Sequence, residues 1–303
     1  MSIPGPARRV LHVCWCCDDA DEVEDLMVAG LGLRPVMRTD GRPADGAVLG
    51  FAGRTIRSVG DFVTDARGPR VAPMIEIQAW IDPPPRGRPG DDPFAVGIRA
   101  LGVTVADVDA AAAGLVARGG RVASRDESTG RTVVVEPGGV TLDLDPPAAS
   151  GTRETRLAHL RVTVTDLAAS RSFAERLGFV VIGDDPVDDG RSVGVPGPVR
   201  GRRLRLRVAE EPFELHLHAW ADPPATGRHP APANQRGLYR AALRVDDLDA
   251  ALAAVTAAGV AVTRGPLSVP MPGTGLPDLR VAFVTDPDGV PYEFVERPAA
   301  VFR

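Results

Sequence analysis

The chain has 303 residues, 44% of them hydrophobic and 25% charged, and a net charge of −5. This is the composition of a folded chain of about two domains, and it excludes a basic nucleic-acid surface or a polybasic membrane contact. No apolar run approaches the ~18 residues of a membrane span.

The first stretch, Met1 to Val10, carries Pro4, Gly5 and Pro6 and no apolar run of the kind a secretory signal needs. Cys14, Cys16 and Cys17 lie too close together to staple a fold, so a reduced cytoplasm is the expected compartment. A strand through His12-Val13-Cys14-Trp15-Cys16 runs into Asp18 and Asp19. A later strand closes in Gln78-Ala79-Trp80-Ile81-Asp82-Pro83-Pro84. After a Pro-rich joint, Asp82 to Pro93, a strand and helix pass through Val105 to Val122. The hairpin Glu136-Pro137-Gly138-Gly139 follows. A second joint, Pro146 to Thr155, leads to the strand Val162-Thr163-Val164 and an acidic N-cap at Asp166. Ala169, Phe173 and Leu177 then recur at helical spacing, and Gly178 closes the helix. Leu204, Leu206 and Val208 alternate with Arg203, Arg205 and Arg207, which reads as a strand. The run Arg200 to Arg207 reads as its solvated face, since no aromatics interleave it. A third joint, Asp222 to Gln235, precedes a helix capped by Asp247, striped by Leu248, Leu252 and Val255, and closed by Gly259. The Pro- and Gly-rich segment Arg264 to Arg280 is expected to form a lid, as long loops in compact domains often do. The chain ends in a hairpin, Asp286-Pro287-Asp288-Gly289, and a strand through Tyr292-Glu293-Phe294.

These elements repeat. Gln78-Ala79-Trp80-Ile81-Asp82-Pro83-Pro84 recurs as His218-Ala219-Trp220-Ala221-Asp222-Pro223-Pro224. Val105 to Val122 recurs as Val245 to Val262 with nine of eighteen positions identical. Each copy splits again, which gives four units at about 8–81, 94–146, 156–221 and 236–297. The expected class is α+β, with four βαβββ units in two tandem cup-shaped modules at 8–146 and 156–297. The sequence leaves open whether the units pair within a copy or across copies.

Leu177-Gly178-Phe179, Val245-Asp246-Asp247-Leu248 and Asp286 through Phe294, in this order of elements, resemble the vicinal oxygen chelate superfamily. It includes glyoxalase, bleomycin-resistance and extradiol-dioxygenase relatives, and the resemblance covers nearly the whole chain. It implies up to four inward-facing ligand positions per module. In the second module these fall on His159, His216, Arg240 and Glu293; in the first, on His12, Glu76, Ala100 and Asp143.

His159, His216 and Glu293 would make a two-imidazole, one-carboxylate set suited to Fe(II), Zn, Mn, Co or Ni. Arg240 departs from the pattern, because glyoxalase-like and dioxygenase members place a histidine there. A weaker set is His12, Glu76 and Asp143, with Cys14 and Cys16 on the same face as His12. Glu214, His218 and Arg240 are the candidate proton and charge handlers. The expected function is a divalent-metal-dependent enzyme acting on a small oxygen-chelating substrate in the C-terminal cup, by isomerase, lyase or ring-cleaving dioxygenase chemistry. The alternative is a metal-free protein that sequesters a small molecule or antibiotic. No nucleic acid or membrane partner is expected, and a homodimer is left open.

Overall fold

A computed structural model describes residues 5–89, 91–148, 154–209, 211–230, 232–271 and 273–297. Each unit opens on a strand that leads through an aspartate cap into a helix. Asp166 accepts from the backbone N–H groups of Ala168 and Ala169, starting the helix Leu167–Leu177, and Gly178 ends it in the left-handed region at φ 116°. Its buried stripe is Ser170, Phe173, Ala174 and Leu177, one residue off the expected Ala169. Asp247 caps Leu248–Ala257 in the same way, and Leu248, Ala251 and Val255 face inward. In the first unit the helix Ala20–Asp25 continues as a π-helical turn, Leu26–Gly30. That explains why its sequence pattern is the poorest of the four.

The strands form two curled sheets, and each sheet mixes the two copies. One runs Val262–Val269, Leu279–Thr285, Pro291–Glu296, Gly237–Val245, Arg9–Cys17, Met74–Asp82, Thr55–Thr64, Arg34–Arg38. The other runs Phe179–Asp189, Pro198–Val208, Glu214–Asp222, Arg156–Val164, Gly97–Thr104, Thr141–Asp145, Arg131–Val135, Arg121–Asp126. The first unit therefore pairs with the fourth, through Arg9–Cys17 against Gly237–Val245, and the second with the third, through Gly97–Thr104 against Arg156–Val164. The modules expected at 8–146 and 156–297 are not the units in which the sheets close. The Pro-rich joints hold the exchange together. Val96 donates to the Thr226 carbonyl and Thr226 to the Phe94 carbonyl, while Arg86 and Arg236 bracket the same clasp.

Alternation decides which side chains enter the cups. His12, Cys14 and Cys16 alternate with Val13, Trp15 and Cys17, which join the helix-side core. That core is one apolar cluster containing Leu101, Leu142, Leu160, Leu243 and Phe294, so it ties all four units together. Burying each such side chain is worth about 1.5–3 kcal/mol. No helix among the described residues is long and apolar enough to cross a membrane.

Candidate functional site

The first cup, built from units one and four, encloses a cavity of about 390 Å³. Met37, Phe62, Met74, Leu267, Met271 and Leu279 supply its apolar wall. The segment expected as a lid does roof this cavity, but much of it is strand. Val262–Val269 and Leu279–Thr285 pair with each other.

Four charged side chains form the floor. Arg240 donates from Nε to Glu293 at 2.8 Å and from Nη2 to Glu76 at 2.7 Å. His12 Nε2 lies 3.2 Å from the Glu76 carboxylate and 3.6 Å from that of Glu293. All four are buried. Burial opposes charging each carboxylate, but Arg240 and then His12 outweigh it, which holds Glu76 at about 2 and Glu293 below the usual carboxylate range. Burial would lower His12, yet Glu76 and Glu293 outweigh that and raise it above its ordinary value. Gln78 continues the network, its Oε1 lying 3.5 Å from both Arg240 Nη1 and Cys14 Sγ. Burial pushes the Cys14 thiol well up, so Cys14 is a small apolar wall residue rather than a thiolate ligand.

The second cup, from units two and three, holds His159, His216, His218 and Asp143. Asp143 is fully buried between Arg161 Nη2 at 3.0 Å and His159 Nε2 at 3.2 Å. Burial would raise its pKa, but Arg161 outweighs that and it stays well below the usual range. The His159 ring sits over Gly102, where a Cβ would come within 2.1 Å of it, so only glycine permits this packing. His216 stacks on His159 with centroids 4.1 Å apart and planes 11° from parallel, and its Nε2 lies 2.8 Å from Glu214. His218 has no partner at either ring nitrogen among the described residues. The short helical segment Gly190–Val193 plugs the cup, receiving Arg161 at the Val193 carbonyl and Arg131 at the Ser192 carbonyl.

Cross-copy pairing thus separates residues the sequence groups together. Glu293 and Arg240 belong with His12 and Glu76, while Asp143 belongs with His159 and His216. The two fourth-position acids trade places between the expected sets, because each acid's strand reaches the other copy's histidine strand through one intervening strand, Gly237–Val245 in the first cup and Gly97–Thr104 in the second. Glu214 and His218 share a cup with the histidine pair and not with Arg240. Arg161 is absent from the sequence expectation. Its signal was its place two residues after His159 on the same inward face.

Neither cup suits a divalent ion as it stands. In the first, the Arg240 guanidinium fills the space between the two carboxylates. In the second, imidazoles bind metal in their ring planes, and two stacked, near-parallel rings aim their lone pairs along separate planes. Among the described residues no three His, Cys, Asp or Glu side chains form a group that could hold a metal ion.

Three buried neutral histidines each oppose the fold at acid pH. Burial and then Arg99 lower His229 from 6.5 to about 4. Burial, followed by cationic neighbours, also lowers His216 and His218 well below their ordinary value. A histidine lowered on folding takes up its proton only when the chain unfolds. Stability is therefore intact above pH 6.5 and falls as pH drops toward the folded value. His229 alone accounts for ~3 kcal/mol. Burial also pushes the Glu211 and Asp286 carboxyls up to about 7, and these gain stability as pH falls, so the His229 contribution is read as a difference: between about pH 7 and pH 4 the parent chain should lose about 3 kcal/mol more than His229→Asn in urea unfolding. Parallel profiles for the two chains would show that His229 charges freely in the fold.

Residues 156–294 match the model of the Glyoxalase/Bleomycin resistance protein/Dioxygenase superfamily. Glyoxalase I from Zea mays superposes with a TM-score of 0.69 at 17% identity, over 95% of this chain and 92% of that one. A putative dioxygenase from Bacillus subtilis subsp. subtilis str. 168 superposes at 0.63 and 16% identity, over 97% and 86%. A search of curated protein sequences found no match. The chain therefore carries, over residues 156–294, a domain of the Glyoxalase/Bleomycin resistance protein/Dioxygenase superfamily, on a two-module glyoxalase-like fold that spans nearly its whole length.

Proposed function

We propose that the chain is a small-molecule-binding protein whose working site is the first cup, and that this cup acts without a divalent metal. One observation carries the reading: Arg240 is ion-paired to both floor carboxylates, Glu76 and Glu293, at the position where a metal would have to sit. The cavity is of ligand size, mostly apolar, and has a few convergent polar groups at its base, the usual make-up of a small-molecule site. Its ligand would be a compact, largely apolar organic molecule that places a polar atom near His12. Of the two functions expected from sequence, this favours sequestration over metal-dependent turnover.

A second reading rests on His12. It is a buried imidazole facing the cavity, beside two carboxylates that support its protonated form. That arrangement suits general acid–base turnover of the bound molecule without a metal.

The test combines elemental analysis with binding. Protein purified without chelator or nickel affinity should hold well under one transition-metal ion per chain. A neutral apolar fluorophore such as Nile red should bind saturably, and Leu267→Arg at the cavity wall should abolish that binding. About one ion per chain, lost in Glu293→Ala and kept in His216→Ala, would overturn the reading.

A further inference from the structure

The mouth of the second cup differs in chemistry from the first. Arg67, Arg131, Arg156, Arg203 and Arg205 line a separate cleft of about 380 Å³ that reaches down to His159 and His216. Two of these arginines are spoken for: Arg67 pairs with Asp65 and Arg131 with Asp145. Arg203 and Arg205 share one carboxylate, Asp185, and Arg205 reaches Glu214 only at 3.5 Å. Arg156 has no ion-pair partner among the described residues. Two buried guanidinium nitrogens at the cleft, Arg156 Nε and Arg203 Nε, have no hydrogen-bond partner among the described residues. His216 turns its Nε2 to Glu214, which also lines the cleft, so the free donors there are those of the arginines.

Buried nitrogens are rarely left unpaired, and guanidinium groups are the side chains best shaped to hold carboxylate or phosphate oxygens. The strand alternation explains how they come together. On Pro198–Val208, Leu204, Leu206 and Val208 turn to the core, while Arg203 and Arg205 turn to the cup. The run Arg200 to Arg207 is thus only partly a solvated face: Arg202 and Arg207 are exposed, and Arg203 and Arg205 wall a cleft.

We propose that this cleft binds a small oxyanion-bearing molecule through Arg156, Arg203 and Arg205 at its mouth. The site is separate from the first cup and stands whether or not that cup binds an apolar ligand.

Isothermal titration calorimetry at low ionic strength, with inorganic phosphate and with malonate as probes, tests it. At least one probe should bind at a single saturable site. Arg156→Gln and Arg203→Gln should each weaken it by about tenfold or more. Arg205 has an open side chain, so Arg205→Gln carries the same expectation without risk to the core. Met271→Ala, at the wall of the first cup, should leave the affinity unchanged. Preference for phosphate assigns a phosphate-bearing ligand, and preference for malonate a carboxylate. Neither probe saturating below about 10 mM, or Arg205→Gln binding both as the parent chain does, would overturn the proposal.

Discussion

Arg240→His should turn the first cup into a divalent-metal site. In the parent chain the floor is internally compensated, with Glu76 and Glu293 ionised, Arg240 between them, and His12 pushed toward its protonated form. The substitution removes the cation and adds an imidazole, which leaves two imidazoles and two carboxylates around one point. That donor set suits Zn, Co, Ni, Mn or Fe(II). Two consequences follow from the same electrostatics. Without metal, the variant should be destabilised by about 3–5 kcal/mol, because two buried carboxylates have lost their partner. With metal in thousandfold excess over its dissociation constant, about 4 kcal/mol should return, since only the folded chain assembles the site. Thermal unfolding with and without added Zn(II) or Co(II) reads both. Metal should raise the midpoint of the variant and leave that of the parent chain where it is. A variant that stays metal-free, or a parent chain stabilised to the same degree, would mean that Arg240 is not what keeps metal out.

The two cups solve the same problem in reciprocal ways. Cys14 and Arg240 are register partners across the join of units one and four, and Arg161 and Ala100 are register partners across the join of units three and two. Each join therefore places one arginine opposite one small residue, but on opposite strands. In both cups the arginine neutralises the fourth-position acid: Arg240 for Glu293, and Arg161 for Asp143. A carboxylate so deeply buried needs a charge partner, and a guanidinium supplies one where no metal does. The consequence differs because the surroundings differ. The first cup keeps an open apolar cavity above its floor, whereas the Gly190–Val193 segment closes over the second and leaves only the arginine-lined cleft.

Local order was legible in the sequence because its causes are local. Asp166 and Asp247 announce helix starts by the hydrogen bonds a short carboxylate can make, and Gly178 announces an end by a backbone angle few other residues tolerate. Period-two alternation likewise marks His12, Glu76, His159, His216, Arg240 and Glu293 as facing one way. What a strand's own residues do not encode is its neighbour. Strand pairing between units is a long-range choice made by the edges and joints, so alternation could place Glu293 in a cup but not say which. Arg161 is hidden in the sequence for a different reason. It is not one of the four ligand positions, and the acid it neutralises, Asp143, reaches it only when the second unit pairs with the third.

Double-mutant cycles should report that exchange directly. If Asp143 works with Arg161 and His159, then Asp143→Asn should be strongly destabilising, by about 3–5 kcal/mol, because it leaves a fully buried guanidinium without its carboxylate. Combined with Arg161→Met, the loss should be much less than the sum, with a coupling of roughly 1–3 kcal/mol. Glu293→Gln with Arg240→Met should behave in the same way. The crossed pairs are the decisive arm. Asp143→Asn with Glu76→Gln, and Glu293→Gln with His159→Asn, join residues from different cups and should add to within about 0.5 kcal/mol. These are the combinations that the sequence alone would group into single sites. Strong coupling in the crossed pairs and additivity in the others would mean that the halves close within each copy, and the floor described for the first cup would have to be abandoned with them.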